Sequence, residues 1–276
     1  MKTIEITKEN RKLIGYTDTT TELIIPEYVN ISDIEYQVIS IDDCTFEGCS
    51  NLISIVIPNS VTTIGSYAFD DCSNLSSVSI PSTVTKIGGR AFYGTPWLTN
   101  KQQENPLVVV NGILINGTTC TGDVVIPDSV TSIEDRAFFS CTNLTSVSIP
   151  EGVISIGDAA FYGCTNLTSV TIPDSVTSIG SRAFTECFSL TSVTIPEGVT
   201  EIHNYVFNSC IKLNSITIPK SVTYIKYGAF HNCTNLTTVN YSGTEEDWDD
   251  IDIERYNDDL VRSELYTEFN SEERNR

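Results

Sequence analysis

Hydrophobic and polar residues along this chain follow a pattern that returns every 23 residues. A Val-x-x-Ile element recurs at Val38, Val61, Val84, Val130, Val153, Val176, Val199 and Val222, spaced by 23 residues or twice 23. A phenylalanine column (Phe46, Phe69, Phe92, Phe138, Phe161, Phe184, Phe207, Phe230) and a leucine column (Leu52, Leu75, Leu98, Leu144, Leu167, Leu190, Leu213, Leu236) keep the same phase. Three columns in phase identify an internal repeat. A period of about 20–50 residues marks a stacked architecture in which each unit buries its apolar face only against its neighbours.

Within the unit running from Leu167 to Ser189, Val170 and Ile172 alternate with Ser169 and Thr171. That period of two predicts a short strand with one buried and one wet face. The proline that follows (Pro58, Pro81, Pro127, Pro150, Pro173, Pro196, Pro219) has no amide hydrogen to give a ladder, so it ends the strand and turns the chain. A glycine after the Val-x-x-Ile element, at Gly65, Gly88, Gly157 and Gly180, fits a second sharp turn. Asp42, Glu134, His203 and Lys226 stand there in other units, so a positive φ is not expected at that position. Ala-Phe is expected to form a short helical turn that drives the ring inward.

The predicted fold class is therefore a repeat solenoid with one short parallel β-strand per coil, Val-x-x-Ile turn segments and short helical turns on the outer side. Nine coils are expected over residues 38–239, with an N-terminal cap at 1–37 and an acidic cap and tail at 240–276. The coil at about 93–129 is degenerate. Its strand position falls on the polar run Thr99-Asn100-Lys101-Gln102-Gln103-Glu104-Asn105-Pro106, which predicts an interruption of the sheet. Leu107 to Val110, Asn111-Gly112 and Ile113 to Ile115 also read as a hairpin with a type I′ turn, and both readings put a protruding feature there.

Composition narrows the function classes. With 40% hydrophobic and 19% charged residues the chain is that of a folded protein. Its formal charge of −20 opposes phosphate backbones and anionic membranes, so nucleic acid is not expected as a partner. No apolar run is long enough for a transmembrane segment, and the start Met1-Lys2-Thr3-Ile4-Glu5-Ile6-Thr7 does not read as a signal peptide.

The candidate chemistry mostly resolves into packing. Seven of the nine cysteines, Cys49, Cys72, Cys141, Cys164, Cys187, Cys210 and Cys233, keep the repeat phase, while Cys44 and Cys120 do not. Side chains of one column in stacked parallel coils point the same way, which disfavours disulfides and predicts buried free thiols acting as small apolar fillers. There is no C-x-x-C, and His203 and His231 fall at different phases, so neither a metal nor any other cofactor is expected. No G-x-S-x-G, H-E-x-x-H, P-loop or G-x-G-x-x-G sequence occurs, which predicts a non-catalytic chain.

The strand residues that face away from the core form a hydroxyl array: Ser77, Ser79, Ser146, Ser148, Ser169, Thr171, Ser192, Thr194, Ser215 and Thr217. These lie on the expected concave face. Two readings stand, a set of soluble strand-compatible fillers or a broad polar platform for a protein or polysaccharide ligand that binds through many weak contacts. A more specific site is expected at the mid-repeat irregularity, with Trp97, or at the acidic tail. There Thr244 and Asp247 are spaced like a capping box before a short helix, and Asp247, Asp249 and Asp252 do not make a calcium loop. The sequons Asn143-Leu144-Thr145 and Asn166-Leu167-Thr168 arise from the repeat wording itself.

The opening of each unit has the L-x-x-L-x-L spacing of a leucine-rich repeat, whose coils wind as a right-handed superhelix. The wording Cys-Thr-Asn-Leu-Thr-Ser-Val-Thr-Ile-Pro-Asp-Ser-Val-Thr-Ser-Ile-Gly from Cys164 to Gly180 resembles the BspA-like, or Treponema pallidum-type, repeats of bacterial proteins, and the likeness spans about Val38 to Val239. The resemblance implies a monomeric, secreted or cell-surface module that adheres to host protein, bacterial surface or glycan. It carries over no catalytic residues. A structural spacer within a larger surface protein is the alternative.

Overall fold

The structure, a computed structural model, describes residues 3–6, 12–17 and 20–267. The end of the acidic tail predicted for 240–276, through Glu272-Glu273-Arg274, lies outside these residues. The chain forms two compact units, Met1–Asn116 and Gly117–Arg276. Each is a parallel-strand β-solenoid, with about 10 turns between them and little helix.

In the first unit the strands Glu22–Ile24, Ser54–Val56 and Ser77–Ser79 pair in parallel in that order. A second parallel ladder joins Lys12–Thr17, Ser40–Ile41, Thr63–Ile64 and Lys86–Ile87, with Thr3–Ile6 antiparallel on its outer edge. In the second unit the main ladders are Gly122–Val125, Leu144–Ser148 and Ser169–Thr171, then Ser192–Thr194, Ser215–Ile218, Thr238–Tyr241 and Glu264–Tyr266. Register follows the repeat: Ser146 opposes Ser169 and Ser192 opposes Ser215. The Val-x-x-Ile segment, expected as a turn, carries a short strand of its own in every regular coil, such as Ser155–Ile156 against Ser178–Ile179. Its amides and carbonyls thus find partners in the next coil instead of remaining orphaned inside a turn.

The interior is built from the columns. All eight column phenylalanines are fully buried. Their rings stack at 4.9 and 5.2 Å in the first unit and at 4.8, 5.2, 5.6 and 5.4 Å in the second. The distance is the strand spacing of about 4.8 Å handed on to the side chains. Val38, Val61, Val84, Val130, Val153, Val176, Val199 and Val222 are equally buried.

The Ala-Phe segment is a tight turn and not a helical one. The residue before it takes a left-handed φ in coil after coil: Tyr67, Arg90, Arg136, Ala159, Arg182, Tyr205 and Gly228 lie between 54° and 60°. This reversal aims the following Phe amide at the next coil, as in Phe161 N–H to the Ala183 carbonyl at 2.8 Å. The repeated glycine after Val-x-x-Ile serves another purpose. A Cβ at Gly157 would lie 2.4 Å from the Asp135 amide nitrogen of the preceding coil, so the position needs close approach and not a positive φ.

In the irregular coil, the polar run is mostly helical. Pro96–Glu104 forms a helix that starts on the Thr95 side chain, which accepts from the Leu98 amide at 3.1 Å, with proline at its first position. The hairpin follows, Val108–Val110 against Ile113–Asn116, with Asn111 and Gly112 at φ 51° and 81° as a type I′ turn requires. Its tip does not stand free, because the Asn111 side-chain Nδ2 donates to the Pro81 and Val84 carbonyls, both at 2.9 Å.

Three substitutions test this account by thermal or denaturant unfolding. Phe184→Ala is expected to cost about 3–5 kcal/mol, as for a buried aromatic. Gly157→Ala should cost about 1–3 kcal/mol through backbone overlap, and Ser169→Ala should stay within about 0.5 kcal/mol. Equal effects for all three would sink the column assignment.

Candidate functional site

The strand face holds the ten hydroxyl residues named above. Ser77 and Ser79 are exposed in the first unit, while Ser148, Ser169, Thr171, Ser192 and Thr194 are exposed and Ser146, Ser215 and Thr217 half-buried in the second. The face is less plain than its repeated wording. In the second unit Asp123 opposes Ser146 and Glu264 opposes Thr238, so a carboxylate stands at each end of one hydroxyl column, while Val125 and Tyr266 end the other. Asp123 accepts from the Thr145 hydroxyl at 2.8 Å and the Ser146 hydroxyl at 2.6 Å, which hold its carboxyl below the usual carboxylate range. In the first unit Ile24 opposes Val56, and both are exposed, Ile24 at 74%. Sequence reasoning missed these anchors because their strands, Gly122–Val125, Glu22–Ile24 and Glu264–Tyr266, lie in coils with departed wording.

The cysteine column has more chemistry than a filler needs. All nine cysteines are free, Cys44 exposed, Cys49 half-buried and the other seven buried. Each regular thiol donates to the carbonyl of the phenylalanine one coil back: Cys72 to Phe46 at 2.9 Å, Cys164 to Phe138, Cys187 to Phe161 and Cys210 to Phe184 at 3.2 Å, Cys233 to Phe207 at 3.1 Å. The same carbonyl also accepts the amide of the cysteine in its own coil, as Phe161 does from Cys164 at 3.2 Å. Both lone pairs of a buried acceptor are thereby used. Burial pushes the Cys72 and Cys233 thiols up to about 12, and Cys120 and Cys141 up to about 11. These thiols are poor nucleophiles and poor metal ligands, since both roles need the thiolate.

Trp97 is not a surface anchor. It is 8% exposed and packs on Phe92 with ring centroids 4.6 Å apart, within the core of the first unit. His203 lies 3.3 Å from the Lys226 ammonium, which pairs with Glu201 at 2.7 Å, and His231 sits edge-on to Tyr256. The two histidines share no site. Among the described residues no group of three His, Cys, Asp or Glu side chains could hold a metal ion, and no helix is long and apolar enough to cross a membrane.

The acidic segment folds as its spacing implies. Thr244 caps the helix Glu245–Asp249 with a reciprocal capping box: its hydroxyl accepts from the Asp247 amide at 3.1 Å and its amide donates to the Asp247 carboxylate at 2.9 Å. Lys220 pairs with Asp247 at 3.0 Å, and Trp248 meets the Tyr241 ring edge-on. Beyond it, Asp252–Ile253 and Glu264–Tyr266 add parallel strands to the ladders begun by Tyr224–Ile225 and Thr238–Tyr241.

Stacked parallel coils with phenylalanine, leucine and cysteine columns define a leucine-rich-repeat solenoid. The chain belongs to the BspA-type leucine-rich repeat proteins, whose repeat region matches in 6 copies over residues 27–145 and 131–250. A leucine-rich cell surface protein of Faecalibacterium prausnitzii A2-165 is 25% identical over 92% of this chain and 96% of its own, with a TM-score of 0.53. A leucine-rich repeat protein of T. pallidum (23% identical, 85% of this chain and 87% of that one, TM-score 0.34) and the pneumococcal vaccine antigen PcpA (15% identical, 90% and 89%, TM-score 0.47) are similar in fold. No curated protein matches the chain.

Two measurements follow from this geometry. A thiol reagent added to the native protein should label Cys44 at once and Cys49 slowly, the other seven cysteines reacting only after unfolding; rapid native labelling of Cys187 or Cys210 would contradict the buried column. The Asp247 carboxyl is held down to about 2 by the Thr244 amide, the Lys220 ammonium and the Thr244 hydroxyl. A depressed pKa means that its contribution is full above the ordinary carboxylate pKa of about 4 and is lost as pH falls through the folded value. Trp248 fluorescence in a Trp97→Phe chain should therefore hold steady down to about pH 4 and change toward about pH 2, and Asp247→Asn should remove the transition.

Proposed function

We propose that this chain is a non-catalytic binding and adhesion module, displayed on or secreted from a bacterial cell, that presents its strand face to a host protein, a bacterial surface or a glycan. The observation that carries the reading is the face itself. In-register parallel strands hold exposed and half-buried hydroxyls in two columns, one of them framed in the second unit by the Asp123 and Glu264 carboxylates, and the first unit adds the exposed Ile24–Val56 pair. Side chains on paired strands lose little freedom when a ligand arrives, which lowers the ordering cost of binding. Many such contacts of modest strength add through avidity. The likeness to a cell surface protein of F. prausnitzii supports the compartment.

Residues 1–37 and 240–276 are read as caps. Their strands Glu22–Ile24 and Glu264–Tyr266 stand at the outer ends of ladders whose edges are otherwise open to pairing with another chain.

The test is to immobilise the chain and pass host matrix proteins, bacterial cells and a glycan array over it, with Thr171→Arg and Thr194→Arg as face variants. Saturable binding at tens of micromolar or tighter, weakened by both variants, is the expected outcome. Absence of any saturable ligand would leave the spacer reading, and binding that ignores both variants would remove the strand face from the contact.

A further inference from the structure

The turn side of the second unit carries a cluster that the repeat itself does not require. The residue before Ala-Phe or Val-Phe is left-handed in every regular coil, a conformation that L-residues disfavour and that glycine adopts freely. Gly228 and Ala159 occupy the position in two coils, so closing the coil needs no large side chain there. Tyr205 (φ 59°) occupies it here, as Tyr67, Arg90, Arg136 and Arg182 do in other coils, and Tyr256 (φ 66°), which precedes Asn257, is left-handed in the last coil. The rings of Tyr205 and Tyr256 gather with Tyr227, at 5.4 Å and 76° for Tyr205–Tyr227 and 4.9 Å and 52° for Tyr227–Tyr256. His231 stands edge-on to Tyr256 at 5.7 Å, and the Arg182 guanidinium lies 5.0 Å above Tyr205. Gly228 makes the arrangement possible, because a Cβ there would lie 2.8 Å from the Tyr205 ring.

The ring angles decide what this cluster can bind. The buried phenylalanines stack nearly flat, at 2° to 21°, and cover one another's faces. These tyrosines are turned by 52° and 76°, and Tyr256 is 50% exposed. The half-exposed Tyr256 ring offers its electron-rich face to polarised C–H groups.

Other ligands fit less well. Rings in mutual contact leave no cage for an organic cation, and Arg182 already covers Tyr205. The chain's charge of −20 repels a nucleic acid whose bases could stack here. Five side chains fall far short of the roughly 800 Å² per partner of a standard protein interface. The exposed aromatic face of Tyr256 suits an uncharged ligand with apolar C–H faces and hydroxyl edges.

We propose that the Tyr205–Tyr227–Tyr256 cluster, with His231 and Arg182, is a second binding surface, for a short stretch of a neutral polysaccharide. It is independent of the strand face. The test is affinity electrophoresis of the full chain through gels holding mixed-linkage β-glucan, xyloglucan, galactomannan or dextran, comparing wild type, Tyr256→Gly, Tyr205→Gly and the strand-face variant Thr171→Arg. At least one polysaccharide should retard the wild type and Thr171→Arg alike. Tyr256→Gly should weaken that retardation about tenfold, in the range of an aromatic hot spot, with a Tm no lower than wild type because glycine relieves the left-handed backbone. If wild type and both tyrosine variants migrate alike in every gel, the inference is wrong, whatever protein ligand the strand face captures. Loss of retardation in Thr171→Arg but not in Tyr256→Gly would likewise overturn it by moving the sugar to the strand face.

Discussion

Hydrogen bonding between the backbones of successive coils is the constraint from which everything else in this molecule follows. A coil has no core of its own and nearly every strand amide finds its acceptor one coil away, as when the Gly157 amide meets the Ile133 carbonyl at 2.8 Å. Parallel in-register pairing places each residue over its equivalent 23 positions earlier, so each inner side chain must pack against a copy of itself. Phenylalanine can do this because flat rings offset-stack at the strand spacing. Glycine must be used where the next backbone comes within a Cβ's reach. Asp135 and Asp158 use the same closeness differently, each accepting the amide 23 residues on at 2.7 Å.

The cysteine column shows how far that constraint reaches. A turn around each phenylalanine leaves a buried carbonyl with one spare lone pair, and a dry interior makes an unused acceptor costly. Serine could donate to it, but its oxygen would be left with unmet acceptors of its own in an apolar layer. A thiol donates weakly and asks for little in return, and it fills nearly the volume of a small apolar side chain. Cys141, whose preceding coil is irregular, turns instead to the Cys120 carbonyl at 3.1 Å, so the donor keeps its role when its usual partner is gone.

Because the interior repeats, the sequence exposes it almost completely: the valine, phenylalanine, leucine and cysteine columns are one observation made many times. Features that lack repetition or periodicity were harder to read. The two-residue strands of the Val-x-x-Ile segment are too short to show a period. The left-handed turn before Ala-Phe is hidden because arginine, tyrosine and alanine stand where glycine or asparagine usually signals it. The helix Pro96–Glu104 follows a clear Thr-Pro start, but its polar composition has no apolar stripe, so a reading based on hydrophobic pattern passes over it.

Function is subject to the opposite rule. A position on the stacking interior is fixed by its neighbours and can say little about a ligand, whereas a position on either outer face is free to change with small consequence for folding. Hydroxyls on the strand face satisfy solubility and recognition equally, so their repetition alone does not separate the two. Asp123 and Glu264 do more, since they put charge at the two ends of one hydroxyl column. The tyrosine cluster goes further, because Tyr227 and Tyr256 lie outside the packed columns and gather with the ring of Tyr205, a residue at the repeated left-handed position. Tyr205 and Tyr256 lie 51 residues apart, which is no multiple of the 23-residue period, and Tyr227 precedes the left-handed position of its own coil. Only folding brings the three together. In a repeat protein, side chains that the fold gathers at positions the stacking interior leaves free are where selection by a partner leaves its mark.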